Sequence, residues 1–499
     1  MAAPSALGRR SWLLHRTAAL WLAYLALGLV LAIPMLVSEV PLGVDTLNHL
    51  ARIHVRANIG GDADLARLFE IRSNLVPYMG LDWLMTPLAR VMPTLLAGRV
   101  FIVLLLWATV GAVVVVQRVF TGRIGFEPLL MGLVSYNAML GWGLLNYLVG
   151  VVGVLLGFAV WHGLRDRPWP LRLLLFTAVA TGLYVVHLLA LALYGALLGA
   201  YEVFGRQRPL RTPIRDWLLL GLQFVPAAVL YSRLDQAAIH APLVVSWGFA
   251  MKPLVLASPF LFSGIAGGLT AGLLVFAACM VLLYRLTRNG MLHWNRELGA
   301  CATVLALAGL LTPGVLLGVW LVDQRFPPVA AALAIAAIRL KPGSGRQLLP
   351  ALLLLGVGGA TQIGSATMVA HACGPQFQEL RDALAEIPRG TVLAAVLEAD
   401  APAPGASCTG MPIYEHMPQL FIIDRSGYSP DFFGLVTSVT ARDGRETDLS
   451  PIQTHKLTAN SLPAHGRILW MHLGNRTRAM PPDLNLLHAG SFFDLFERP

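Results

Sequence analysis

Residues 17–56 of the chain read TAALWLAYLALGLVLAIPMLVSEVPLGVDTLNHLARIHVR. The first part, 17–38, is apolar over a length that can cross a bilayer, because an α-helix needs about 20 residues to span the hydrocarbon core. Arginines precede this run, and the short apolar core and small-residue cleavage site of a removed signal peptide are not found in it. We therefore predict a retained transmembrane helix that leads directly into a charged segment.

The rest of the chain has the same apolar character. Of its 499 residues, 56% are hydrophobic and only 13% are charged, and the mean hydropathy is +0.65. These values lie far from those of soluble domains, so we predict a polytopic α-helical membrane protein with about eleven transmembrane helices. The predicted spans are 17–38, 97–117, 127–141, 143–163, 172–186, 188–204, 217–231, 263–284, 298–313, 327–339 and 348–370.

Basic residues in the short loops predict the orientation of these spans, because Lys and Arg in such loops stay cytoplasmic. They cluster in alternate loops, at 118–123, 165–172, 206–215, 285–296 and 339–346. We expect the amino terminus on that side, and the segment 39–96 and the tail on the exterior or periplasmic side. The net charge of +10 is spread over these loops and forms no single stripe, which argues against nucleic acid as a partner.

Two exterior parts are large enough to form structure of their own. Segment 39–96 mixes apolar and charged residues at helical spacing and predicts short amphipathic helices at the interface. The tail, 374–499, contains one helical pattern and several strand patterns and predicts a small α/β domain after a transmembrane module at 1–373. Cys373 and Cys408 share this side and could pair if the compartment is oxidising.

Sequence signatures of soluble enzymes are not found in the chain. It contains no P-loop, no dinucleotide glycine pattern after a strand, no Cys-x-x-Cys and no His-Glu-x-x-His. Ionisable residues are also scarce at the centres of the predicted spans, where ion-coupled transporters usually need them. Polar and charged residues gather instead at the exterior ends of the spans, which is where we expect the function to lie.

The segment after the first span carries the first candidate site. If it is helical, Asp45, His49, Arg52 and Arg56 share one face at offsets of four, three and four residues. A carboxylate at the membrane boundary can act as a general base, and a guanidinium can bind the phosphate of a lipid headgroup or lipid-linked intermediate. Asp45 is also a favoured residue at a helix N-cap, and His49 is also common as a packing residue at a membrane interface. The catalytic and the structural interpretation of these residues therefore both stay open.

Other polar residues on the predicted exterior side extend this candidate site: Asn74, His187, Lys252 and Arg325. Each of the last three has a simpler interpretation. The histidine can form its hydrogen bonds within its own turn, and the lysine can anchor the chain at the membrane interface. Arg325 can pair with Asp323 to cap the end of a helix.

The layout of the chain resembles the GT-C superfamily of membrane glycosyltransferases. Its first span is followed by a large exterior loop that opens with an acidic residue, in VDTLNHLAR at 44–52, and the chain ends in an exterior domain. The segments GWGLLNYLVGVVGVLLGFAVW, VDQRFPP and EHMPQLFIIDRSGYSPDFF also resemble those of bacterial members or relatives of that group.

This resemblance implies that a sugar moves, with inversion, from a polyprenyl-phosphate donor to a glycolipid, polysaccharide or protein at the exterior face of a bacterial inner membrane. Asp45 matches the acidic base of the family. The substrate and phosphate site would be drawn from His49, Arg52, Asn74, His187, Lys252 and Arg325. Asp45 is single, where some members carry an acidic pair, so no cofactor is assigned and a divalent metal stays open.

Two other functions are compatible with the sequence. A transporter or flippase for a lipid-linked sugar would use the exterior charges to dock the headgroup, and polar residues along a path through the membrane would favour it. A non-catalytic partner in envelope polysaccharide assembly would use the tail for binding. The lack of an exterior cavity beside Asp45 would favour that function.

Overall fold

The helices of the membrane part follow the apolar runs of the sequence. A computed structural model describes residues 6–72, 75–205, 214–234, 244–341, 345–398, 407–429, 439–442, 452–453, 465–474 and 482–499. The α-helices in these ranges are α1 (Ala6–Val37), α2 (Thr46–Asn58), α3 (Ala63–Leu68), α4 (Gly80–Val91), α5 (Thr94–Thr121), α6 (Ala138–Gly141), α7 (Leu145–Gly163), α8 (Trp169–Val186), α9 (Leu188–Ala200), α10 (Ile214–Leu222), α11 (Val225–Ser232), α12 (Lys252–Ala257), α13 (Ala266–Arg288), α14 (Arg296–Leu311), α15 (Phe326–Ala337), α16 (Gly345–Ala385) and α17 (Leu420–Arg425).

Strands are short in the membrane part, and the longest strands, of five or six residues, are in the tail. They are β1 (Phe69–Ile71), β2 (Val245–Ser246), β3 (Leu292–Trp294), β4 (Val315–Leu316), β5 (Ile338–Leu340), β6 (Leu393–Leu397), β7 (Val439–Ala441), β8 (Ile452–Gln453), β9 (Gly466–Met471), β10 (Asn485–Ala489) and β11 (Phe493–Arg498). Single-turn 3₁₀ segments join several of the helices.

The predicted fold class, a polytopic helical membrane protein with a sheet-containing tail, is confirmed. Within the described residues, seven segments are helical, long and apolar enough to cross a membrane: Thr17–Val37, Thr94–Thr121, Leu145–Gly163, Trp169–Val186, Leu188–Gly205, Ile214–Ser232 and Gly267–Arg288. The predicted number of eleven is not confirmed. On the first of these segments, Leu22, Leu29 and Leu36 are exposed at intervals of seven residues, which is typical of a helix face in contact with lipid.

The other predicted spans take different forms. Segment 127–141 is a 3₁₀ helix, Glu127–Leu133, followed by the short α6. Two local signals break it, because Pro128 stands in the first turn of the 3₁₀ helix and the Asn137 side chain accepts hydrogen bonds from the backbone at the start of α6. The helices α14 and α15 have 16 and 12 residues and pack against each other.

Helix α16 is one continuous element of 41 residues. It covers the predicted span 348–370 and runs on through residue 373, where we expected the membrane module to end. The division into 1–373 and 374–499 therefore stays a prediction.

The tail forms a five-stranded sheet in the order β10-β11-β9-β6-β8. Strand β6 runs parallel to both β8 and β9, and β11 runs antiparallel to β9 and β10. Val396, Ile468, Trp470 and Phe496 form a small buried core in this sheet. A disulfide joins Cys373 of α16 to Cys408, the pairing that the sequence left open.

The segment after the first span is bound closely to the tail. Strand β1 pairs antiparallel with β7, with Phe69 opposite Ala441. The predicted amphipathic helices of segment 39–96 are present as α2, α3 and α4. Helix α2, however, is buried on both faces, because its apolar Leu47 and Leu50 and its polar Arg52 are all at most 1% exposed. Its charged face therefore points into the protein.

Candidate active site

The backbone around Asp45 is held by the turn between α6 and α7. The Val44 N–H donates to the Gly141 carbonyl at 3.1 Å, and the Asp45 N–H donates to the Trp142 carbonyl at 3.0 Å. Gly143 has a positive φ of 73°, and a Cβ at this position would lie 2.7 Å from the Asp45 nitrogen. Only glycine fits this close approach without strain, so the turn fixes where α2 begins.

The Asp45 carboxylate does not cap the helix that it precedes. Asp45 occupies the N-cap position of α2, yet its side chain makes no capping hydrogen bond. Its Oδ1 lies instead 3.3 Å from Nε2 of His416, in the 3₁₀ helix Ile413–Gln419 of the tail. The Asp45 side chain is 23% exposed, and that of His416 is 8% exposed. The simple N-cap interpretation of Asp45 is therefore wrong.

Arg52 is bound to a carboxylate on α4. Its Nε lies 2.9 Å and 3.0 Å from the two oxygens of Asp82, and its Nη2 lies 2.8 Å from Oδ1. The same Nη2 lies 3.4 Å from Nδ1 of His49. Both partners of the ion pair are almost fully buried. A contact between Arg52 and a phosphate, as predicted, would require this pair to open.

Lys252 is also paired. Its Nζ lies 2.7 Å from Oδ2 of Asp323, with both side chains at most 10% exposed, and it donates to the Thr312 carbonyl as well. The expected pair of Asp323 with Arg325 is not formed. The two residues are separated by one position in a 3₁₀ helix, Asp323–Arg325, whose three residues per turn direct the two side chains to different sides.

Arg325 is a buried cation in a different position. Within the described residues it has no carboxylate within 4.0 Å, and its Nε has no hydrogen-bond partner. Its Nη2 donates to the Trp320 carbonyl at 3.1 Å, its Nη1 lies 3.2 Å from Nε2 of His187, and its guanidinium lies 5.4 Å from the ring centre of Tyr147. The predicted site residues Arg325 and His187 are thus in contact.

His187 cannot fully satisfy Arg325. Its Nδ1 accepts the Leu189 N–H at 3.1 Å and so caps α9. A neutral imidazole has only one accepting nitrogen, so the ring cannot accept from Leu189 and Arg325 at the same time. Arg325 therefore retains donor capacity inside a buried site.

The titration behaviour of these groups reflects their burial. Burial lowers the pKa of Arg325, and the nearby Tyr147, Tyr78 and Asp45 act in the opposite direction. Burial lowers the pKa of His49 well below its usual value, and the nearby Arg52 lowers it further. Burial and Arg325 do the same to the pKa of His187. Both histidines are therefore neutral at pH 7.

Two further expectations concern Asn74 and a cavity beside Asp45. Asn74 lies outside the described residues. Two neighbouring cavities, of about 410 and 660 Å³, lie beside His54 and Asn58 of α2 and Asp424 of α17. The residues that line them do not include Asp45. In the described part of the chain, no group of three or more His, Cys, Asp or Glu side chains is arranged to hold a metal.

Sequence reasoning missed His416 as a member of the site. It grouped Asp82 with the polar residues of segment 39–96 but did not pair it with Arg52. His416 lies far along the chain from α2 and Asp82 lies on another helix, so no spacing rule connects them to the site. His416 does occur in one of the segments that resemble GT-C proteins, EHMPQLFIIDRSGYSPDFF. A His next to an acidic residue in such a segment was the only available signal.

Comparison with known proteins identifies the fold. No protein-family model matches the chain, and no curated relative matches it. Two solved structures of ArnT from Cupriavidus metallidurans, a GT-C family glycosyltransferase, are similar to it. The apo structure gives a TM-score of 0.54 at 13% identity, over 97% of this chain and 98% of ArnT. The structure bound to undecaprenyl phosphate gives 0.52 at 12% identity, over 95% and 97%.

The predicted resemblance to GT-C proteins is therefore confirmed at the level of the fold. The match covers nearly the whole of both chains, so it includes the membrane part and the tail together. Because the sequence identity is only 12–13%, the similarity to ArnT shows a shared fold and does not by itself show a shared activity. The activity has to be argued from the site itself.

Proposed function

We propose that the protein is a membrane glycosyltransferase that moves a sugar from a polyprenyl-phosphate donor to an acceptor hydroxyl at the exterior face. One observation carries the proposal. The Asp45 carboxylate is partly exposed and makes no helix cap, and the turn that holds its backbone leads into α7, whose Tyr147 hydroxyl donates to the Arg325 carbonyl. A base and an anion-binding cation therefore share one site.

Arg325 is the preferred ligand for the donor phosphate. A buried cation without a carboxylate partner is unfavourable, and a bound phosphate would compensate its charge. A guanidinium binds phosphate oxygens through paired hydrogen bonds, and the Arg325 Nε has no hydrogen-bond partner in the described part of the chain. Helix α15 begins at Phe326, directly after it, so the helix dipole favours an anion at the same place.

The reaction then follows from the positions of these two groups. Asp45 removes the proton of the acceptor hydroxyl while its oxygen attacks the anomeric carbon of the donor sugar. The bond between that carbon and the phosphate oxygen breaks, and the lipid phosphate leaves with the electron pair. Arg325 stabilises the negative charge that grows on the phosphate. A single displacement of this kind inverts the anomeric centre.

The other predicted ligands take supporting roles in this proposal. Arg52 and Lys252 are each neutralised by a buried carboxylate, which fixes α2 and α12 in place. His49 is neutral and lies next to Arg52, and His187 is neutral and lies next to Arg325. The lipid carrier is proposed as a polyprenyl phosphate because ArnT, which shares the fold, was solved with undecaprenyl phosphate bound.

Substitution of Asp45 by Asn tests the proposal. Loss of a general base commonly lowers a rate by about 10²- to 10⁴-fold, so Asp45→Asn should lose transfer by that factor while it folds normally. Transfer would be measured as a new glycosidic bond formed from a polyprenyl-phosphate sugar by purified protein. Asp64→Asn is the matched control, because Asp64 is an exposed carboxylate in the same exterior segment.

The same assay separates the alternative functions. A flippase would move the lipid-linked sugar between leaflets of a vesicle without making a glycosidic bond. A non-catalytic partner would do neither. Full transfer by Asp45→Asn, or vesicle flipping without any bond formation by the wild-type protein, would overturn the proposed function.

A further inference from the structure

His416 contacts helix α2 at two points. Its Nε2 lies 3.3 Å from Oδ1 of Asp45, and its Nδ1 lies 3.3 Å from Nδ2 of Asn48. Asp45 and Asn48 are separated by one helical turn, so both contacts lie on the same side of α2. The imidazole is 8% exposed and comes from the tail, whereas α2 belongs to the membrane part.

The contact with Asn48 favours one arrangement of the ring proton. The Asn48 Nδ2 is a donor, so the His416 nitrogen facing it, Nδ1, must accept. A neutral imidazole then carries its proton on Nε2, which faces Asp45. The imidazole can therefore donate from Nε2 to the Asp45 carboxylate, whose Oδ1 lies 3.3 Å away.

The segment that carries His416 is held firmly on both sides. Ile413 and Met417 of its 3₁₀ helix are each 1% exposed in the main hydrophobic core. Upstream, the disulfide of Cys408 with Cys373 ties the segment to α16. The Gly264 N–H also donates to the Thr409 carbonyl at 2.9 Å. These anchors place the imidazole in a fixed position relative to α2.

We propose that His416 is a positioning residue for the Asp45 carboxylate, so that the tail completes the site of the membrane part. This inference rests on the proposed function, in which Asp45 is the base. The Nε2–H of His416 holds Oδ1 and leaves the other carboxylate oxygen to take the acceptor proton. The proton moves from the acceptor hydroxyl to Asp45 only, and His416 keeps its own proton throughout.

The unused N-cap position explains why such a residue is needed. An Asp at this position ordinarily accepts from the backbone N–H groups of the first helical turn. That alternative conformation would turn the carboxylate towards α2 and away from an acceptor. The contact of His416 with Oδ1 competes with it, and the observed side chain makes no cap contact.

The test compares His416→Leu with His416→Gln in the transferase assay. We expect His416→Leu to lower kcat about 10- to 100-fold with little change in KM for the donor, because a displaced catalytic group lowers rate more than binding. His416→Gln retains a side-chain N–H donor and should recover part of kcat. His488→Leu is the control, because His488 is in the tail but packs on Phe493 away from α2.

Two further measurements keep the proposal falsifiable if a His416 variant folds poorly. Asn48→Asp puts a second carboxylate beside the ring and favours its doubly protonated form; the positive charge then makes Asp45 a weaker base, which should also lower kcat. The double variant Asp45→Asn/His416→Leu should be no slower than Asp45→Asn alone, because His416 acts only through that carboxylate.

The outcomes distinguish this inference from the proposed function. If Asp45→Asn is inactive but His416→Leu and Asn48→Asp keep the wild-type kcat, the positioning role is wrong and the glycosyltransferase proposal stands. If His416→Leu slows Asp45→Asn further by its full factor, His416 acts independently of Asp45 and the inference also fails. If Asp45→Asn is fully active, the proposed function itself is wrong.

Discussion

Arg52 and Asp82 form a buried ion pair in which one nitrogen of the guanidinium contacts both carboxylate oxygens, at 2.9 and 3.0 Å. The pair joins α2 to α4 within the segment that follows the first span. It also places the Arg52 Nη2 beside His49. The charged face of α2 is thereby fixed inside the protein, where the sequence pattern alone had suggested an interfacial surface.

Removal of the acidic partner should destabilise the protein strongly. We expect Asp82→Asn to lower the free energy of unfolding by about 3–5 kcal/mol, because it leaves the Arg52 charge buried without compensation. The double variant Arg52→Met/Asp82→Leu should recover most of this loss. Thermal unfolding in detergent measures both. If Asp82→Asn instead kept full stability and bound donor differently, Arg52 would be a phosphate ligand, as the sequence predicted.

Substitution of Arg325 should lower activity without lowering stability, in contrast to substitution of Asp82. We expect Arg325→Gln to leave the unfolding free energy unchanged or to raise it by up to about 2 kcal/mol, because a buried cation without a carboxylate partner is removed. Transfer should fall by about 10²-fold or more, because charge on the leaving phosphate is no longer stabilised.

The control for Arg325 is Arg67→Gln, since Arg67 belongs to an exposed pair with Asp64. This variant should change neither the unfolding temperature nor kcat. A variant Arg325→Gln that unfolds at lower temperature but transfers sugar at the wild-type rate would contradict the assignment of Arg325 as the phosphate ligand.

Two glycines with almost the same backbone conformation provide a matched test of the turn that holds Asp45. Gly143 and Gly122 have φ of 73° and 74°. A Cβ on Gly143 would meet the backbone of Asp45 and Thr46 at 2.7 Å, whereas one on Gly122 would meet nothing within 4 Å. Both Ala variants should lose about 1–2 kcal/mol from the positive φ.

Only Gly143→Ala should also lower kcat, because it displaces the start of α2 and the carboxylate with it. A shift of about 1 Å can lower a rate on the order of 100-fold. The measurement is kcat per folded protein for both variants. Equal activities in the two would show that the position of Asp45 does not limit the reaction.

The pH dependence of stability should carry a signature of His54. Burial lowers the pKa of this histidine from 6.5 to about 4, against the opposing charges of Asp62 and Asp424. Between these two values the unfolded chain binds a proton that the folded protein does not. The contribution of His54 to the free energy of unfolding should therefore be fully present above pH 6.5 and decrease as the pH falls towards about 4. Below that pH this group should cause no further loss of stability.

Thermal unfolding of wild type and His54→Gln at pH 7.5 and pH 4.5 checks this sign. The variant should lose less stability between the two pH values, because Gln does not titrate. Equal losses in both proteins would assign the acid sensitivity to other groups, of which the buried His49 is the first candidate.

Much of the architecture was predictable because it depends on local properties of the chain. The length of the apolar run at 17–38 was sufficient to predict the first span, and the strand patterns after 374 were sufficient to predict a sheet in the tail. Segment 127–141 was misjudged as one span, because Pro128 and Asn137 interrupt an apolar run whose average hydropathy gives no sign of it.

The candidate site was predictable only as a set of residue types. The sequence placed Asp45, His49 and Arg52 on one side of a helix, since their offsets follow the helical repeat. It could not say which way that side faces, or that Asp82 compensates Arg52 and Asp323 compensates Lys252. Those pairings depend on how α4 and the segment before α15 pack against α2 and α12.

The sequence by itself determined the polytopic helical class, the first membrane span, a sheet in the tail and an acidic residue at the start of α2, because each depends on composition or spacing within a few turns of helix. Only the tertiary structure decided that His416 faces Asp45 and that Arg325 is left without a carboxylate partner among the described residues. Both depend on distances between segments far apart in the chain, where packing and the desolvation of charge select the partners.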